Sequence, residues 1–135
     1  EIMDNMLAGN RAMAVVYSGD AAYMMTENPN LKYYVPEEGT NRWYDAMVIS
    51  KECQNDDLAY AFINFMLDEA HATANTSEIG YTSPVAAAYE EMLVSDYEGI
   101  SAYAPRESDR DEVFHYQQPE IKSLFADLWT KVKSR

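Results

Sequence analysis

Three short apolar runs constrain this chain more than any other feature: "AMAVVY" (12–17), "LKYYV" (31–35) and "AMVI" (46–49). Each has the length of a strand, and breaking residues separate each from the next. Before the first run, Ile2, Met3, Met6 and Leu7 recur at helical spacing and Gly9 closes that helix. "SGD" (18–20) turns into a second helical stretch, "DAAYMMTEN", which Pro29 stops. A polar connection, "PEEGTN" (36–41), leads into the third run. Helix, strand, helix, strand in this order predicts an α/β layered sheet.

From Asp56 the pattern turns helical. "DDLAYAFINFMLD" puts Leu58, Phe62, Phe65 and Met66 on one face, with two acids in the first turn to suit the helix dipole. "EAHATANTSE" continues that helix, and "IGYTSP" (79–84) breaks it. Thr82 or Ser83 then caps a helix with Pro84 at its first position. Residues 94–110 read as irregular, acidic and tyrosine-bearing. The last helix begins near Pro119, with Ile121, Leu124, Phe125, Leu128, Trp129 and Val132 in one stripe. The chain carries no internal repeat and no low-complexity tract.

At 135 residues, 47% of them hydrophobic, the chain is long enough and apolar enough for one ordinary core. No window approaches the ~18 consecutive apolar residues of a membrane span. No basic, hydrophobic leader opens it, and it begins inside a helical pattern, which points to a fragment or a processed piece. The balance of 23 acidic against 10 basic residues, a net charge of −13, is the wrong sign for a phosphate-binding surface. Nucleic acid and anionic lipid are therefore disfavoured as partners. Acidity suits attraction of small cations, although solubility accounts for it as well. A single cysteine, Cys53, rules out an intrachain disulfide and fits a secreted or a cytosolic protein equally.

Signals for catalysis are weak. Of the two histidines, His71 lies in a helical pattern as a surface or packing residue, and no nucleophile elbow, Walker loop or dinucleotide fingerprint occurs. Cys53 sits in a polar turn with no histidine near it in sequence. The acidic run 107–112 and the pair Asp96 and Glu98 lack calcium-loop spacing and read as solvated faces. No catalytic residue, metal ligand or cofactor is assigned.

The aromatic residues say more. Eleven tyrosines and two tryptophans are many for this length, and several stand at strand ends and breaks, outside the core stripes. Tyr17 ends the first run, Trp43, Tyr44 and Asp45 open the third, and Tyr81 lies in the break between two helices. Ligands of open α/β sheets bind at strand ends and in crevices between layers. In "NRWYDAMVI" (41–49), Asp45 either ends a turn or joins its aromatic neighbours in a box for something cationic and greasy. Taken together, these positions favour a site.

"AVVYSGDAAYM", "NPNLKYYVPEEGTNRWYDAMVI", "AYAFINFMLDEA", "EIGYTSPVAAA" and "LFADLWTKVK" closely resemble, in this order, the C-terminal part of the bacterial spermidine/putrescine-binding proteins. These are the extracytoplasmic solute-binding components of polyamine ABC transporters. The resemblance runs through essentially the whole chain. It implies an absent N-terminal part and a C-terminal fragment of a two-lobed periplasmic-binding-protein fold of type II. Residues 1–42 would end the second lobe, 43–88 would form the hinge strand and complete the first lobe, and 89–135 would return to the second. The implied ligand is putrescine or spermidine, handed to a membrane permease. The location would be periplasmic or extracytoplasmic, with an anchor possible only in a segment absent here, and a fragment of this kind would self-associate. The alternatives are a relative with another small cationic or amino-acid-like ligand, or a sensor module on the same fold.

Carried over by position, Trp43 resembles the tryptophan that stacks on the polyamine chain and Asp45 the aspartate that pairs with an amine. Tyr81 matches the tyrosine of "IGY", and Tyr17 stands where some members have tryptophan. Asp20 of "YSGD" is either a ligand contact or the cap of the following helix. A further polar contact comes from "FHYQQP" (114–119), through His115 or Gln117.

Overall fold

The computed structural model describes residues 2–134. The helices stand close to where their spacing predicts them. Helix α1 (Ile2–Leu7) is followed by Gly9, and α2 (Ser18–Glu27) ends at Asn28, directly before Pro29. The two-residue strand β1 (Asn41–Arg42) precedes α3 (Asp56–Leu67), α4 (Glu69–Ile79) and α5 (Ala86–Leu93). Strand β2 (Glu112–Val113) and α6 (Pro119–Lys133) complete the order, with Pro119 opening the last helix as its fixed φ favours.

Two boundaries move. The long helix predicted from Asp56 breaks at Asp68, whose backbone is extended (φ −61°, ψ 138°). Asp68 ends α3 and caps α4, its carboxylate accepting the His71 N–H at 3.4 Å. The helix expected to start with Pro84 starts instead at Ala86. Ser83 Oγ accepts the Val85 N–H at 3.1 Å and holds the turn in front of it.

The larger correction is the sheet. Among the described residues the only ladder is the parallel pair β1–β2, with Asn41 opposite Glu112 and Arg42 opposite Val113. The three apolar runs form no strands. A strand exists where a neighbour takes its backbone N–H and C=O groups, and apolar composition alone supplies no neighbour. The first and third runs lie largely open, with Val15 98% and Val48 86% exposed, while Val35 is buried and Leu31 and Tyr33 of the second run pack on the core as irregular backbone. The apolar stripes of α3 and α6 are likewise exposed along most of their length.

The core sits elsewhere. Ala21, Ala22 and Met25 of α2 pack against Met92 of α5 and against Tyr97, Ala102 and Tyr103. Alanines at the contact let the backbones approach, and Tyr97 stacks on Tyr103 with centroids 4.6 Å apart and planes 9° apart. The irregular segment 94–110 therefore supplies core residues, although its composition reads as surface. Asp96 and, in the run 107–112, Glu107 and Asp111 take part in specific contacts. Asp111 accepts the N–H groups of Thr40 (3.1 Å) and Ser108 (2.9 Å), Glu107 pairs with Arg42 at 2.9 Å, and Asp96 accepts the Ser77 hydroxyl. With Arg110 Nη1 donating to the Glu37 carbonyl (3.0 Å) and Arg106 Nη2 to Pro36 (2.6 Å), these contacts lash segment 35–42 to segment 106–113. Trp43 follows directly from that lashing.

Candidate functional site

Three aromatic residues from distant parts of the chain meet beside this junction. Tyr17 stands at the N-terminal edge of α2, where its carbonyl accepts the Ala21 N–H at 3.0 Å. Trp43 is the residue after β1. Tyr81 follows Gly80, the residue that closes α4 in the left-handed conformation (φ 72°), which an L side chain rarely adopts. The Tyr17 and Trp43 rings meet edge to face at 4.9 Å and 65°, and Trp43 and Tyr81 at 6.1 Å and 68°. Trp43 is the central ring, half-buried, with Tyr17 more exposed on one side. Edge-to-face packing satisfies the ring quadrupoles and leaves ring faces available for other contacts.

Tyr81 is seated on bare backbone. A Cβ on Gly19 would fall 2.3 Å from Tyr81 Cε2 and 2.6 Å from Cδ2 and Cζ, so the ring occupies the space that any side chain at position 19 would need. A Cβ on Gly80 would in turn fall 2.8 Å from the Gly19 carbonyl oxygen. The two glycines bring the start of α2 and the end of α4 into direct contact.

Carboxylates flank the trio. Burial pushes the Tyr81 phenol above its ordinary value, and the negative charges of Asp20 and Asp45, together with Tyr17 and Tyr33, push the same way. Both carboxylates thus belong to the electrostatic surroundings of Tyr81. Asp20 lies in the first turn of α2 but does not cap it. The cap position is Tyr17, with no side-chain cap hydrogen bond, so Asp20 is left half-buried at the positive end of the helix. Asp45 is exposed, two residues beyond Trp43.

The sequence readings fall unevenly on this geometry. Tyr17, Trp43 and Tyr81 come together, and Asp20 and Asp45 lie near them. His115 and Gln117 stand on the exposed segment after β2, where His115 Nδ1 contacts the Val113 carbonyl at 3.1 Å. The ring contacts that gather the trio include neither. The seat for Tyr81 at Gly19 was invisible in the sequence beyond the presence of a glycine in "YSGD". Tyr33, which joins the electrostatic surroundings of Tyr81, looked like one more residue of an apolar run. Among the described residues no cluster of three or more histidine, cysteine or acidic side chains could hold a metal ion, and no helix is long and apolar enough to cross a membrane. Two open grooves lie away from the trio: one of about 390 Å³ between residues 47–53 and α3, and one of about 500 Å³ beside Arg106 and Arg110.

Half-exposed rings with acids in their surroundings are what the structure gathers at this junction. Residues 1–102 match the family described as bacterial extracellular solute-binding protein, and the chain belongs to that family, whose members work outside the cytoplasm. Among curated relatives, the putrescine/cadaverine-binding protein of Pseudomonas aeruginosa strain PAO1 is 33% identical over 76% of this chain and 29% of its own length. The putrescine-binding periplasmic protein PotF of Escherichia coli strain K12 is 24% identical over 99% of this chain and 38% of its own. The putrescine-binding periplasmic protein SpuD of Pseudomonas aeruginosa strain UCBPP-PA14 is 28% identical over 98% and 38%. The chain thus spans roughly a third of the length of these relatives. No solved structure gives a significant match.

Proposed function

We propose that this chain carries part of the ligand cleft of a polyamine-binding protein and that its ligand is putrescine or spermidine. The observation that carries the reading is the Tyr17–Trp43–Tyr81 trio with Asp20 and Asp45 beside it. A polyamine is a string of methylenes punctuated by ammonium groups. Ring faces pack against the methylenes and attract the ammoniums through the ring quadrupole, at roughly 0.5–2 kcal/mol per contact. Each ammonium taken out of water needs a carboxylate, because an unpaired buried charge is costly. Asp45 and Asp20 supply two. An anionic ligand would want arginine in their place. The net charge of −13 adds a long-range attraction for cations.

In this reading the chain is the C-terminal part of a two-lobed α/β fold that closes around its ligand by a hinge. Residues 1–42 and 89–135 belong to one lobe and 43–88 to the other. The buried cluster itself draws on residues 21–25 and 92–103, while Thr76 of α4 is buried against Tyr103, so α4 packs on the same body. One hinge crossing would fall at Trp43, directly after β1. The open apolar runs and the bare faces of α3 and α6 are the surfaces that the rest of the fold would cover. In the periplasm or its equivalent the loaded protein hands its polyamine to the membrane permease of an ABC transporter, as a carrier and not as an enzyme.

Native mass spectrometry of the intact protein, followed by titration calorimetry with putrescine, cadaverine and spermidine, tests this. The expected result is a co-purified or titrating polyamine at one-to-one stoichiometry. No binding of any of the three, with binding of an amino acid or another cation instead, would overturn it.

A further inference from the structure

The turn that carries Tyr81 meets the buried hydroxyl of Thr76, which in turn meets that of Tyr103. Thr76, on the last turn of α4, and Tyr103, from the irregular segment, are each 1% exposed. The Thr76 hydroxyl donates to the carbonyl oxygen of Tyr81. A carbonyl only accepts, so the single hydroxyl proton of Thr76 is committed there. The 3.0 Å contact between Thr76 Oγ1 and the Tyr103 hydroxyl must then be donated by Tyr103. The turn is thereby tied, at Tyr81, to one buried point.

That point is itself rigid. Tyr103 is stacked between Tyr97 (4.6 Å) and Tyr89 (6.1 Å), and the Tyr97 hydroxyl donates to the Ser77 carbonyl at 2.6 Å. Without the relay the Tyr81 carbonyl loses its partner, and the turn must rotate to find another. Because Gly19 leaves one seat for the Tyr81 ring, a rotation of the backbone at 81 moves the ring off it.

We infer that Thr76 and Tyr103 are positioning residues for the ligand site, their hydroxyl relay setting where the Tyr81 ring stands against Trp43. Neither belongs to the aromatic trio. The ligand side of the inference rests on the polyamine reading, and the geometric side does not.

The first test needs no ligand. The chain has two tryptophans, so Trp129→Phe, on the exposed face of α6, leaves Trp43 as the sole reporter. Tyr81→Ala should red-shift its emission and raise its quenching by acrylamide. Thr76→Val and Tyr103→Phe, each still helical by circular dichroism, should do the same and add nothing further in the Tyr81→Ala background. Thr76→Ser keeps the hydroxyl and should behave as wild type. It also covers the case in which Thr76→Val fails to fold: a folded Thr76→Ser with shifted emission would mean that Thr76 acts by packing alone, and the inference falls. Unshifted emission in folded Thr76→Val and Tyr103→Phe overturns it too.

The second test is putrescine titration of the intact binding protein. Thr76→Val should weaken binding about tenfold, but not when Tyr81 is already alanine. Shifted emission with no putrescine binding by wild type would sink the polyamine reading and leave the positioning role standing. Wild-type binding that Thr76→Val changes by less than twofold overturns the positioning role.

Discussion

Gly19 lies directly under the ring of Tyr81: a Cβ at position 19 would sit 2.3 Å from Tyr81 Cε2, inside any permitted contact. The consequence for Gly19→Ala can be signed. Alanine in a helix is favoured over glycine by up to about 1 kcal/mol. Forcing a methyl group into the ring costs about 1–3 kcal/mol in a packed contact, so the clash wins. Gly19→Ala should lower stability in chemical denaturation and raise it in a Tyr81→Ala background, where only the helix preference remains. A stabilised single variant would mean that the ring swings aside freely.

Asp45 is exposed, so Asp45→Asn should leave the melting temperature nearly unchanged. In the closed cleft of the intact protein the same change would leave an ammonium without its carboxylate. Losing one side of a desolvated pair costs roughly 2–5 kcal/mol, or about thirtyfold to several-thousandfold in affinity. Asp45→Lys should be worse, and Trp43→Ala should weaken binding through lost packing and cation–π contact. Calorimetric titration with putrescine and spermidine reads all three. An Asp45→Asn affinity within threefold of wild type would remove Asp45 as the amine's partner.

Alkaline pH should destabilise the chain through its tyrosines. Burial holds the phenols of Tyr33, Tyr81, Tyr97 and Tyr103 above the ordinary value of 10.0 in the folded state. Between the unfolded and folded values the unfolded chain has released protons that the folded chain keeps, so stability falls as pH rises. The contribution is complete below pH 10 and disappears as pH climbs through the folded values. Denaturant unfolding from pH 8 to 11 should show this slope, and Tyr81→Phe should flatten it. A flat profile in wild type would mean that these phenols titrate as they do in the unfolded chain.

The 135 residues alone should self-associate and bind polyamine poorly. Leu124, Phe125, Leu128 and Trp129 are all exposed along α6, and Leu58, Phe62 and Phe65 along α3. Contiguous apolar faces of this kind drive association. Sedimentation should show oligomers that Leu128→Glu with Phe125→Glu shrinks. A clean monomer that binds spermidine at micromolar concentration or tighter would contradict the view that half of the cleft lies outside these residues.

What the sequence by itself determined is what local spacing and local chemistry control. Ile2 to Leu7, Asp56 to Leu67 and Pro119 to Lys133 are helical because their apolar periods, first-turn acids and proline act within one or two turns. Gly80 ends α4 for an equally local reason. Tyr17, Trp43 and Tyr81 stood out because aromatic residues at the edges of apolar runs need no distant partner to be noticed. The tertiary structure decided everything that depends on a neighbour. Segments 12–17, 31–35 and 46–49 are apolar enough for strands, yet among the described residues none forms a ladder with them, and unpaired N–H and C=O groups make no sheet. The break at Asp68 turns on a carboxylate choosing the His71 amide over solvent, a choice that composition does not reveal. Thr76 and Tyr103 carry no motif at all. Their hydroxyls matter only because α4 and the irregular segment bury them together, where each must find a partner and the partners they find fix the turn that bears Tyr81.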